Sequence, residues 1–126
     1  MIDLARLKPA ALRAVDSLAR LHRDLFVTPH VLYELYRGVR SAPAPERELR
    51  WIGRLGDRFR VLPFDRETAR LAARMGDTLQ EEGLPVPDID LFIAASAIVW
   101  GDGEILSRDT THFRRLRSFG LRVLSA

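Results

Sequence analysis

The sequence contains no cysteine and a single lysine, Lys8. Without cysteine there is no disulfide framework and no thiolate metal site, which suits a reducing cytoplasm. Long hydrophobic runs are also missing. The longest, Leu91 to Trp100, is too short to span a bilayer and is interrupted by Ser96. The N-terminal stretch MIDLARLKPAALRAV has charges scattered through it and no continuous apolar segment, so neither a signal peptide nor a membrane anchor is expected. A strong charge of one sign is absent too: 20 basic and 17 acidic residues leave a net charge of +3. So mild an excess does not by itself argue for a nucleic-acid partner. Nearly every cation is an arginine, whose planar fork suits phosphate better than lysine does, although compositional bias gives the same preference. What is present is enough to build a core. Apolar residues make up 47% of 126 residues, which fits one domain over 1–126 and excludes intrinsic disorder.

Helical and β-leaning stretches alternate along the chain. AALRAVDSLARLH (10–22) has the spacing of an amphipathic helix. LFVT (25–28) leans toward β, and Pro29 after the potential cap Thr28 opens a helix that runs to Gly38. SAPAPE (41–46) is the clearest loop. ERELRWIGRLGDR then predicts a short helix with Leu49, Ile52 and Leu55 on one face. RVLPF (60–64) reads as a strand. Asp65 caps a helix whose buried stripe is Leu71, Ala72, Met75 and Leu79, ending at Gly83 with Pro85 beyond. An apolar helix over 88–100, the turn GDG, the strand EILS, the loop-helix RDTTHFRRL and a last strand LRVLS complete the chain. Such alternation predicts an α/β domain around a largely parallel sheet.

Ligands in open α/β sheets bind beyond the carboxyl ends of the strands. Asp109 follows EILS, Glu34 lies in the helix that follows LFVT, and Asp90 stands in the first turn of the apolar helix. Three acids from three segments can therefore meet at one rim, where a hard cation such as Mg²⁺ takes carboxylate oxygens and activates a water for attack on phosphorus. Each acid also has a plain structural use, as a cap, a dipole partner or half of an ion pair. Asp90 is the hardest to dismiss. It borders a wholly apolar segment, and no lysine or arginine occurs between Gly83 and Ser107, so a bound cation is the expected partner for its charge. Asp88, two residues earlier, falls on nearly the opposite helix face and is expected to be the N-cap.

DLFIAASAI (90–98), ILSRDTTHF (105–113), VLYELYRG (31–38) and the closing LRVLS (121–125), with RVLPFDRETARLAARM (60–75), resemble the PIN-domain ribonucleases. Specifically, they resemble the VapC-type toxins of toxin–antitoxin pairs. The likeness spans almost the whole chain. It implies a three-layer α/β/α sandwich with a parallel central sheet. It also implies an acid cluster holding Mg²⁺ or Mn²⁺, and endonucleolytic cleavage of RNA by metal-activated water. By motif, Glu34 matches the glutamate of an E-L-x-x-G pattern, Asp90 the aspartate before L-x-I-A-A, and Asp109 the acid of a T/S-x-D pattern in which Ser107 takes the hydroxyl position. Asp88 is at most an accessory acid. A cytoplasmic location, a cognate antitoxin and a homodimer are implied as well, with Tyr33, Tyr36 and Trp51 as candidate aromatic contacts.

One departure stands out. Members of that family open with a strand ending in Asp-Thr/Ser-Asn/Ser, whose aspartate ligates the metal, and MIDLARLKPA resembles the part just after it. The first, central strand is therefore expected to be missing between those matching LFVT and EILS. Three readings remain open: a start codon upstream, a weak-metal version that keeps the fold, or a partner segment that adds a strand. The competing function is a catalytically impaired binding module for antitoxin or RNA. The arginines around and after Asp109, namely Arg108, Arg114, Arg115, Arg117 and Arg122, can either contact RNA phosphates or lie solvated beside the core residues Phe113 and Leu116. His112 is expected to be a surface or packing residue.

Overall fold

A computed structural model describes residues 26–107 and 110–125, with the side chains of 55, 56, 58 and 125 not described. The helix expected over 10–22 lies outside these residues. The first strand, β1 (Phe26–Val27), is buried and leads through Thr28 into α1 (Pro29–Val39). Thr28 sits in extended conformation, and its hydroxyl accepts from Val31 N–H at 3.2 Å, satisfying a donor that the first helical turn cannot pair internally. The helix passes through Gly38, expected as its stop, and closes at Arg40 in right-handed conformation.

After the loop, α2 (Pro45–Arg58) buries Ile52, whereas Leu49, expected on the same face, is 48% exposed. Strand β2 (Arg60–Val61) is shorter than RVLPF suggests. It pairs in parallel with β1, and Leu62 N–H adds a bond to Val27 O at 2.7 Å. Pro63, which has no N–H, ends the ladder there. Asp65 caps α3 (Arg66–Glu81) as expected, its Oδ1 accepting from Thr68 N–H at 3.1 Å and from the Thr68 hydroxyl at 2.7 Å. The buried stripe is Thr68, Ala72, Met75 and Leu79, and Gly83 turns the chain with φ of 73°.

The central element is α4 (Asp88–Val99). It is apolar on nearly every side, the mark of a helix buried all round. It packs along α3 and also meets α1, β3 and α5. Strand β3 (Glu104–Ser107) is fully buried and pairs in parallel with β4 (Arg122–Ser125), Glu104 opposite Arg122 and Ser107 opposite Ser125. Between them lie the single-turn helix α5 (Thr111–Arg114) and a 3₁₀ turn, Arg117–Phe119, closed by Gly120 in left-handed conformation. The strands are parallel and alternate with helices, so the expected α/β class is what the structure has. Among the described residues they form two separate pairs, β1–β2 and β3–β4, and no described strand joins β1 to β3.

Candidate active site

Asp90 enters the first turn of α4, and its side chain is completely buried. The helix N-terminus favours a negative charge there, because its first N–H groups point outward unpaired by the helix itself. Asp90 Oδ2 lies 3.0 Å from His112 Nδ1, on α5. A carboxylate only accepts, so in this contact Nδ1 carries the hydrogen. Asp90 therefore has an imidazole partner from a distant part of the chain, one not foreseen when its charge was assigned to a bound cation. The contact was not foreseen for His112, which was expected to be a surface or packing residue. A faint signal for it existed: His112 follows β3 by only a few residues, so it was bound to lie near the same rim.

Asp88 does not cap α4. The cap position belongs to Pro87, which has no side-chain acceptor, and Asp88 is the exposed first helical residue. Pro87 has the extended conformation that a helix entry needs, so the chain turns in one residue earlier than expected. Asp88 still gains from the helix dipole. The two acids do fall on different faces, one exposed and one buried. Asp88 borders a groove of about 450 Å³ between α3 and α4 that is also lined by Phe64, Gly76, Val86, Leu91 and Phe92.

Glu34 is half-buried on α1 beside the fully buried Leu35. Ser107 is fully buried at the carboxyl end of β3. Among the described residues no three His, Asp or Glu side chains come together as a metal-holding group. Asp109 and Arg108 lie outside the described residues. The donor types nonetheless suit a hard cation: Asp90 is a buried carboxylate at a helix N-terminus, and its own helix touches both α1, which carries Glu34, and β3, which leads to Asp109.

The sequence matches one family, described as the PIN domain, over residues 1–118. The chain belongs to the PIN-domain family. Proteins with this domain are in general nucleases. No curated protein sequence is a significant match. In fold, this PIN domain is similar to VapBC-1 from nontypeable Haemophilus influenzae, with a TM-score of 0.77 and 20% identity over 99% of this chain and 98% of that one. It is similar to VapBC2 from Rickettsia felis, a structure bound to a promoter DNA fragment, with a TM-score of 0.79 and 18% identity over 100% and 99% of the two chains. It is also similar to VapBC-5 from Mycobacterium tuberculosis, with a TM-score of 0.67 and 27% identity over 80% and 81%.

The basic segment of this PIN domain is divided in its duties. Arg114 is exposed, but Arg115 donates from Nη1 to Pro85 O at 2.8 Å, tying α5 to the loop ahead of α4. Arg122 pairs with Glu104 across β3 and β4. Phe113 and Leu116 are core, as the spacing suggested. Tyr33 and Tyr36 stand out at 60% and 54% exposure, while Trp51 is half-buried. A feature the sequence did not reveal is the ring cluster of His30, Phe64 and Phe92, with centroids 4.9 to 5.2 Å apart. Burial there holds the His30 imidazole below its usual pKa.

Proposed function

We propose that this chain is a Mg²⁺- or Mn²⁺-dependent endoribonuclease of the VapC type, the toxin of a toxin–antitoxin pair. The observation that carries the reading is the position of α4. A buried aspartate heads that helix, and the helix packs against both the element bearing Glu34 and the strand that runs to Asp109. Its fold likeness to chains of VapBC complexes supports the antitoxin as partner. The exposed Tyr33 and Tyr36 offer aromatic surface for that partner or for a second copy in a homodimer.

In this reading Asp90, Glu34 and Asp109 hold the cation, with Ser107 bracing the end of β3. When bound, the ion supplies Lewis-acid activation of a water and charge neutralisation at the scissile phosphate. The chain's own residues do the rest. The core behind α4 holds Asp90 still, and Arg114, with Arg108, attracts the phosphate backbone. The location follows as cytoplasmic, where RNA and antitoxin meet.

The test is RNA cleavage by the full chain with Mn²⁺, beside Asp90→Asn and a sample treated with EDTA. Cleavage is expected from the wild type only, with the mutant down by about 100-fold or more, the range for loss of a group stabilising transition-state charge. Equal cleavage by wild type and mutant would place the chemistry elsewhere. Mn²⁺ binding without cleavage would favour an impaired binding module.

A further inference from the structure

We infer that His112 is a positioning residue for Asp90: its Nδ1–H fixes the carboxylate in the one orientation that a divalent cation meets. The inference rests on the proposed role of Asp90 as a cation ligand. Its physical ground is the 3.0 Å contact between His112 Nδ1 and Asp90 Oδ2, made between an imidazole that is 30% exposed and a carboxylate that is fully buried. A buried carboxylate at the head of a helix can rotate about its last bond, and each rotation offers a cation a different pair of oxygens. A donor clamped on one oxygen removes that freedom, and outer partners of this kind are what hold metal-binding carboxylates in place.

The clamp is itself braced on two sides. Phe113, the residue after His112, is fully buried, as is Leu116 one turn on, so the backbone of α5 is anchored in the core. On the other flank Arg115 reaches across to Pro85 O at 2.8 Å, just ahead of the turn that opens α4. The helix that carries the imidazole is thus tied both to the core and to the entry of the helix that carries the carboxylate. His112 keeps its register against Asp90 even though α5 is a single turn long.

The atom making the contact gives a discriminating test. Nδ1 is bonded to Cγ, the position that the amide nitrogen of asparagine occupies, whereas the amide nitrogen of glutamine falls near Nε2. Mn²⁺ binding to the full chain is followed by loss of the free-ion electron paramagnetic resonance signal, with the melting temperature measured on each variant. For His112→Leu and His112→Gln, affinity is expected to fall by about 10-fold or more, and His112→Asn should remain within about threefold of the wild type. The leucine variant fills the same volume and guards against a purely packing effect. Wild-type affinity in His112→Leu would overturn the inference while leaving the metal assignment intact. Rescue by glutamine rather than asparagine would overturn it in favour of direct ligation through Nε2. Undiminished Mn²⁺ binding by Asp90→Asn would overturn the metal assignment, and the inference with it.

Discussion

Thr28 and Asp65 both cap helices, yet their environments give them different sensitivities. Thr28 is fully buried, and its hydroxyl serves Val31 N–H with no water at hand to replace it. Thr28→Val keeps the shape and removes the acceptor, so it should lower stability by about 1–2 kcal/mol in a denaturant melt. Asp65 is solvent-accessible, and the Thr68 hydroxyl and N–H, the hydroxyl foremost, hold its carboxyl below the usual range. A carboxyl depressed in the folded state adds stability that is present above its unfolded pKa of about 3.9 and lost as pH falls through the lower folded value. Asp65→Asn caps without titrating. The wild type should therefore lead the mutant in melting temperature near pH 6 and lose that lead below about pH 4. A lead independent of pH would remove the charge from the account.

At the scale of elements, the join between α4 and β3 is closely packed. Gly101 N–H returns to Ala97 O at 3.2 Å, and Gly103 N–H reaches the same carbonyl at 2.9 Å. A Cβ placed on Gly101 would stand 2.9 Å from Ala97 O and 3.3 Å from Leu62 Cδ1. The carbonyl is backbone and cannot swing aside, so Gly101→Ala should destabilise by about 1–3 kcal/mol, seen as a shifted denaturation midpoint with an unchanged slope. The helices themselves were legible because caps and apolar spacing are local: Thr28, Asp65 and the Ala72–Met75–Leu79 stripe stand where the pattern put them. The strands were less so. RVLPF pairs over two residues only, because a ladder depends on a partner strand and on Pro63 lacking a donor. Leu49 is exposed although its spacing matches the buried Ile52, because spacing along a helix does not say how far a neighbouring element covers its apolar face.

For the whole molecule, a net charge of +3 is too small to drive tight, indiscriminate binding to RNA. Of the arginines grouped near the chain's end, Arg115 and Arg122 already hold internal partners, while Arg114 faces solvent. Affinity for single-stranded RNA should therefore fall with added salt, and Arg114→Ala should reduce the slope of log affinity against log salt by about 0.7. An unchanged slope would show that Arg114 touches no phosphate.

By itself the sequence determined the α/β class, the helix caps Thr28 and Asp65 and the acids worth suspecting, because each is written in local periodicity, cap residues and short motifs. It also foretold that Asp88 and Asp90 would face apart, since that follows from helical rotation alone. Only the tertiary structure decided what Asp90 touches. Its partner His112 is 22 positions away and reaches it from α5, which Phe113 anchors in the core and Arg115 ties to Pro85. Contacts of that kind depend on how elements pack, which no window of neighbouring residues encodes.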